Sequence, residues 1–363
     1  MKIENLKALE YGSPIEGVYA LVNPGLKTTR TGTNFLNATL QDNSGQLPAV
    51  QWEVDDTALY EYYLQNFQVF TVRGRVDNYR DAPQVVIQKL TPVEKVSSQV
   101  LQEILPSLAE EKISYYVEEI KKLGKKLKDP GCITLFRKII QDPLFMELFR
   151  QAPAAVMVHH AYCGGLAQHT ACVMKQAWSL YQAYKEDSPS MNPDVILLGS
   201  FFHDLGKIEE IKRGPRFENT PEGKLLGHTM ISLEMFMRLS DSVEGFSQAM
   251  STAVKHCIIS HHGNVEWGAA VVPKTLEAEI VFLADYTDST LRQFVETIDA
   301  NSSEWSDYNR FLERSVFSSE YDSLPSRSGL WESEIFEARN SGKTPVKKDN
   351  EKNPPDFKKH SLF

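Results

Sequence analysis

Eight of the nine histidines fall between His159 and His262: His159, His160, His169, His203, His228, His256, His261 and His262. A single helical histidine is most often a hydrogen-bonded core or surface residue. Eight in so short a span, four of them in two His-His pairs, are poorly explained that way, and imidazole is the commonest metal ligand. His203-Asp204 ends the apolar run Val195–Phe202, which reads as a buried helix, and Leu205-Gly206-Lys207 follows. A ligand pair therefore leaves the core where the chain turns, and the carboxylate has two oxygens with which to bridge two cations. His228 opens a helix after Gly227, His261-His262 closes the apolar segment Ala253–Ser260, and His169 lies on a helix beginning near Gly165. Asp285 follows the apolar run Ile280-Val281-Phe282-Leu283-Ala284, where a carboxylate is costly unless paired or metal-bound. The chemistry such a set offers is metal-assisted hydrolysis. Two cations roughly 3.5–4 Å apart acidify and orient a water and neutralise the transition-state charge of a phosphodiester.

The elements that must position these residues follow from composition and period. The chain has 363 residues, 42% of them apolar and 24% charged, which excludes wholesale disorder and suggests two domains with a tail. No run approaches the ~20 apolar residues that span a bilayer, and the start, Met1-Lys2-Ile3-Glu4-Asn5, has no apolar leader segment. The four cysteines (Cys132, Cys163, Cys172, Cys257) form no CxxC, so reduced thiols and a soluble, cytoplasmic protein without membrane association are expected. Of the net charge of −9, residues 96–317 carry 22 basic against 29 acidic side chains, the balance expected of a segment that binds cations.

Residues 13–93 read as short strands between turns. Leu36, Ala38 and Leu40 alternate with Phe35, Asn37 and Thr39, the period of a half-buried strand. About five strands in that length suit an OB-fold barrel. Phe35 then stands on a solvent-facing surface with Lys27, Arg30 and Thr31 in the preceding loop, a stacking ring beside a basic loop, as in single-strand binders; a merely structural barrel is the plain alternative. From about 97 the apolar residues recur at i, i+3, i+4 with no alternating segment, so the second domain is expected to be all-α. Lys121, Lys122, Lys125, Lys126 and Lys128 read first as a solvated helix face, with an RNA-guiding stripe as the lesser reading. The expectation is a multi-domain chain: an all-β OB-fold nucleic-acid-binding domain over 12–95, an all-α domain over 97–317, and a polar, disordered tail over 318–363.

The order H…HD…H…HH…D resembles the HD-domain metal-dependent phosphohydrolase superfamily, whose defining ligands match His169, His203, Asp204 and Asp285. His228, His261 and His262 resemble its two-metal branch. The phrases His159-His160-Ala161-Tyr162-Cys163-Gly164-Gly165-Leu166…His169-Thr170, His203-Asp204-Leu205-Gly206-Lys207, Glu222-Gly223…Leu226-Gly227-His228 and Ser260-His261-His262-Gly263 look like the YhaM-type 3′→5′ exoribonucleases. Those proteins carry an OB-fold ahead of the HD domain, and Arg30…Phe35-Leu36…Asp42…Gly45…Trp52 is a looser match in the barrel. Asn264-Val265-Glu266-Trp267-Gly268 stands where cyclic-dinucleotide phosphodiesterases of the superfamily carry Gly-Tyr-Pro. The resemblance implies one ion on His169, His203, Asp204 and Asp285, and another sharing Asp204 with His228, His261 and His262. Imidazole-rich shells favour Mn²⁺, Fe²⁺, Co²⁺ or Zn²⁺ over Mg²⁺, and the resemblance puts Mn²⁺ first.

Asp204 is then expected to bridge the ions and Lys207 to contact the scissile phosphate, with a helix-end cation as its plainer role. His160 is a candidate donor to a phosphate or leaving group, or else an outer hydrogen-bonding residue; His256 reads as structural. Phe35, Arg30, Lys27 and Trp52 are the nucleic-acid-binding candidates. The expected function is metal-dependent 3′→5′ exonuclease hydrolysis of single-stranded RNA, or also single-stranded DNA, to 5′-mononucleotides, with a homo-oligomer left open. The alternatives are an HD-type phosphohydrolase of small nucleotides, a non-catalytic nucleic-acid-binding protein and, more distantly, an HD-type iron oxygenase.

Overall fold

In the computed structural model, which describes residues 6–79, 82–156, 160–299 and 303–318, the first quarter of the chain closes into a five-stranded barrel. Its strands are β1 (Pro14–Thr28), β2 (Asn34–Asp42), β3 (Gly45–Gln51), β4 (Val69–Tyr79) and β5 (Ala82–Pro92), with helix α1 (Thr57–Asn66) between β3 and β4. The order β1-β2-β3-β5-β4 closes on itself, antiparallel except for the β3–β5 pair. This is the OB arrangement. The alternation in β2 explains the core: Leu36, Ala38 and Leu40 point inward onto Tyr19, Phe70, Val72 and Val85, each large side chain contributing roughly 1.5–3 kcal/mol by burial. β1 is bulged between Val22 and Gly25, and Asn23 there takes a left-handed φ of 47°.

Helices follow: α2 (Ser98–Ile104), α3 (Glu110–Gly124), α4 (Pro130–Ile140), α5 (Pro143–Gln151), α6 (Gly165–Tyr184), α7 (Pro193–Phe202), α8 (Lys207–Glu210), α9 (Pro221–Asp241), α10 (Gln248–Ser260) and α11 (Leu276–Asp299). Four of them begin with the same device. Asp129, Asp142, Asn192 and Thr220 cap α4, α5, α7 and α9 through a side-chain oxygen, each followed by proline at the first turn. The capping oxygen satisfies an orphan N–H, and proline has none to satisfy. α7 is buried along its whole length, with Phe201 and Phe202 packed against Phe136, Phe149 and Phe236. Truncating Phe201 to alanine would cost about 3–5 kcal/mol.

The helical half is not purely helical. A two-stranded hairpin, β6 (Ile211–Arg213) with β7 (Phe217–Asn219), turns at Gly214-Pro215-Arg216 and buries Ile211 and Phe217. Three-residue strands are too short to show alternation in a sequence. The barrel is tied to this half by Asn43 N–H donating to the Glu103 carbonyl (2.9 Å), Gln41 Nε2 to the Ile104 carbonyl (3.2 Å), and Gln68 Nε2 to Glu218 Oε1 (3.2 Å). Of the lysine run, Lys121 and Lys122 lie on α3 and pair with Glu118 and Glu119, while Lys125, Lys126 and Lys128 lie in the turn beyond it.

The chain separates into two compact units, Met1–Thr297 and Ile298–Phe363. Described residues of the second form antiparallel bridges, Trp305 with Phe317 and Asn309 with Arg314, so the helices expected through 317 end with α11. His159 and the tail beyond Ser318 lie outside the described residues. Among the described residues no helix is long and apolar enough to cross a membrane.

Candidate metal centre

Five helices converge on one cavity. α6 delivers His169 from its second turn; α7 ends in His203 and Asp204; the second half of α9 begins at His228; α10 ends in His261 and His262; α11 presents Asp285. Glycines allow the approach. Gly227 breaks α9 with a left-handed φ of 71°. Gly206 lies so close to the backbone of the next segment that a Cβ would sit 2.2 Å from the His228 carbonyl oxygen.

Each imidazole is turned the same way. His203 Nδ1 donates to the Ser200 carbonyl (2.8 Å), His261 Nδ1 to that of Ile258 (2.6 Å) and His262 Nδ1 to that of Trp267 (2.9 Å). His169 Nδ1 donates to Asp288 Oδ2 (2.7 Å), and His228 Nδ1 faces Glu210 Oε2 at 3.4 Å. A carbonyl or carboxylate can only accept, so the proton is on Nδ1 and every Nε2 presents a lone pair to the cavity. The Nε2 atoms of His169 and His203 are 3.1 Å apart, as are those of His228 and His262. His169 Nε2 also lies 3.2 Å from Asp204 Oδ2 and from Asp285 Oδ1. Across the carboxylate, Asp204 Oδ1 lies 3.3 Å from His228 Nε2 and 3.6 Å from His261 Nε2.

Lone pairs and carboxylates pressed together repel unless something positive lies between them. His261 Nε2 and Asp204 Oδ1 are buried with no hydrogen-bond partner, a cost borne only where another ligand satisfies them. The donor set therefore fits two divalent cations, one among His169, His203, Asp204 and Asp285, the other among Asp204, His228, His261 and His262. Burial opposes charge on His169, but the carboxylates of Asp204, Asp285 and Asp288 outweigh it and raise its pKa well above the usual value. Burial holds His203 and His261 below the usual imidazole value. Burial would raise Asp204, yet Lys207 and the surrounding imidazoles hold it well below the usual carboxylate range.

Lys207 Nζ lies 2.5 Å from Asp204 Oδ2. His160 is not brought to the cavity. It is fully buried behind His169, its Nε2 donating to Asp288 Oδ2 (2.9 Å) and its Nδ1 2.9 Å from the Tyr162 hydroxyl. Burial lowers its pKa to about 4, so the ring is neutral at pH 7. His256 accepts from the Lys274 backbone N–H and is no part of the cluster. On the barrel, Phe35 and Trp52 lie together with ring centroids 5.1 Å apart, Trp52 half-exposed. Lys27 pairs with Phe35 across β1 and β2, and Arg30 is exposed in the turn between them.

Sequence reading missed Asp288 and Glu210. Asp288 stands one helical turn after Asp285, and that i, i+3 spacing was its only signal. Trp267 is also placed here: it stacks on Tyr286 at 5.8 Å, which fixes the carbonyl that anchors His262.

The chain matches the HD domain family over residues 166–290, a span that holds every residue of the two clusters. It is 30% identical over 294 residues to the 3′-5′ exoribonuclease YhaM of Listeria monocytogenes serotype 4b, covering 79% of this chain and 89% of that one. It is 28% identical over 285 residues to the protein of the same name from Bacillus velezensis, covering 78% and 87%. Among solved structures, RecG bound to a three-way DNA junction aligns with 58% of this chain and 32% of its own at 15% identity, with a TM-score of 0.22. With likeness at this level along nearly the whole of the Listeria protein, the chain belongs to the YhaM family of 3′-5′ exoribonucleases.

Proposed function

We propose that this chain removes nucleotides one at a time from the 3′ end of single-stranded RNA, and from single-stranded DNA where it meets it, releasing 5′-mononucleotides. As a member of its family it is a hydrolase acting on phosphodiester bonds. The observation that carries the reading is the pair of side-chain clusters sharing one carboxylate, Asp204, with two unsatisfied buried atoms, Asp204 Oδ1 and His261 Nε2, facing each other in the second cluster. His169, His203, Asp204 and Asp285 would hold one cation, and Asp204, His228, His261 and His262 the other. Mn²⁺ suits this imidazole-rich shell, with Fe²⁺, Co²⁺ or Zn²⁺ as alternatives. The bound cations supply an acidified water and neutralise charge on the diester.

The chain's own groups do the rest. The backbone carbonyls behind His203, His261 and His262 fix each ring's tautomer and aim. Lys207, on the cavity wall beside Asp204, is placed to take a phosphate oxygen once the cluster's negative charge is satisfied by metal. In this reading residues 12–95 form the nucleic-acid-binding domain, with Phe35 and Trp52 stacking bases beside Lys27 and Arg30, and 97–317 the catalytic domain. Four free cysteines suit a cytoplasmic site.

The test is a time course on 5′-labelled single-stranded RNA with Mn²⁺ or EDTA, resolved on a denaturing gel. A metal-dependent ladder shortening from the 3′ end is expected. An intact band with metal bound would overturn the reading in favour of small nucleotide substrates.

A further inference from the structure

The cavity lined by Asp204, His228, His262 and Asp285, about 370 Å³, does not end at the helices. It shares Val156 and Asn219 with a second cavity of about 680 Å³ that lies between the barrel and the β6–β7 hairpin. The far wall of this second cavity is barrel: Asn23, Gln41 and Gln46. Gln41 and Gln46 are paired across β2 and β3, and the bulge in β1 turns Asn23 out to solvent, as bulges re-aim side chains. The near wall carries Arg216, Asn219 and Lys224. Arg216 is paired through Nε with Glu218 Oε1; Lys224 is exposed, with no ion-pair partner among the described residues. Two cations against one carboxylate make this cleft basic in an acidic chain.

The outward row of β2 leads into it. Phe35, Asn37 and Thr39 stand part-exposed on the strand face opposite the core residues, and Gln41, buried and hydrogen-bonded to the Ile104 carbonyl and to Gln46, ends this row at the cleft, roughly 20 Å from Phe35 at ~3.3 Å per residue. We propose that this cleft is a binding site for the backbone of a single-stranded polynucleotide, carrying the segment just upstream of the 3′ end from the barrel past Asn219 to the metals. Neutral amides and a lone lysine suit this task, since they hold phosphates and sugars without selecting a base. The inference rests on the proposed function, naming where the same substrate lies.

Two variants test it on the full-length protein. Lys224→Gln removes one phosphate-facing cation, and Asn219→Trp narrows the junction between the cavities. Binding of a long single-stranded RNA is titrated by anisotropy in EDTA over a range of salt, alongside Lys175→Gln, which removes an exposed lysine elsewhere. Lys224→Gln is expected to reduce the slope of log K against log salt by about 0.7, and Lys175→Gln to leave it unmoved. Asn219→Trp is expected to raise KM for the long strand severalfold more than for a small chromogenic phosphodiester. A wild-type slope in Lys224→Gln, or equal effects of Asn219→Trp on both substrates, overturns the path while leaving the nuclease reading intact. Wild-type protein that binds the RNA but never shortens it overturns the nuclease reading instead, and protein that binds no RNA overturns both.

Discussion

One oxygen of Asp288, Oδ2, accepts from both His169 Nδ1 at 2.7 Å and His160 Nε2 at 2.9 Å. His169 belongs to the first proposed cation site, and Asp288 determines which of its nitrogens faces the cavity. Asp288→Asn weakens that acceptor, and outer partners of metal-bound histidines typically govern about 10–100-fold in metal affinity or activity. Metal titration by calorimetry is expected to show a loss in that range, with helix content by circular dichroism retained. Wild-type metal affinity would mean that His169 is oriented by its packing alone.

Lys207 occupies the carboxylate that the two proposed cations would share. In the structure Lys207 Nζ is the cation on Asp204 Oδ2. Lys207→Met therefore removes a competitor, and Mn²⁺ is expected to bind no more weakly than in the wild type. Turnover is expected to fall by about 10²–10³-fold, the usual loss on removing one group that stabilises developing charge. Parallel metal titration and single-turnover kinetics separate the two effects; a fall in both would make Lys207 a prop for Asp204 only.

Chelation reads out on stability. Cations that bind only the folded state add about 2.7 kcal/mol at a concentration 100-fold above Kd, so saturating Mn²⁺ is expected to raise Tm by several degrees over protein in EDTA. Asp204→Ala should abolish RNA cleavage and lose most of that shift, because both clusters contain this carboxylate. Scanning calorimetry with and without metal checks it.

On the barrel, Phe35→Ala is expected to weaken single-stranded RNA binding by about 1–3 kcal/mol. Phe35 is part-exposed on β2, so the barrel should stay folded. Unchanged affinity in a fluorescence titration would move the binding face off β2.

Polar residues embedded in apolar runs made the ligands legible: His203-Asp204 after Val195–Phe202 and Asp285 after Ile280–Ala284 stand out because burial of such groups demands a partner. Asp288 carried no such flag, since it follows Tyr286 and Thr287 beyond the apolar run Ile280–Ala284. His160 reads as a candidate donor to a phosphate or leaving group. Its backbone is held at a left-handed φ of 60°, and Gly165 packs so close that a Cβ would meet the His160 carbonyl oxygen at 2.1 Å, which places the ring behind His169. Such a turn is a matter of tertiary contact and leaves no period in the sequence. The Phe35–Trp52 contact likewise follows from register, Leu36 opposite Gln51, which only barrel closure fixes.

Three of the ligand histidines, His203, His261 and His262, hang from carbonyls three to five residues away in their own segments. For His203 and His261 the protonation pattern is thus written as soon as each helix terminus forms, and for His262 once Trp267 has stacked on Tyr286. Small zinc domains gain their fold from the metal; here the scaffold is built around a buried aromatic core and the coordination sphere is ready-made. A coordination sphere set in this way would let ions exchange from the folded protein without a round of refolding.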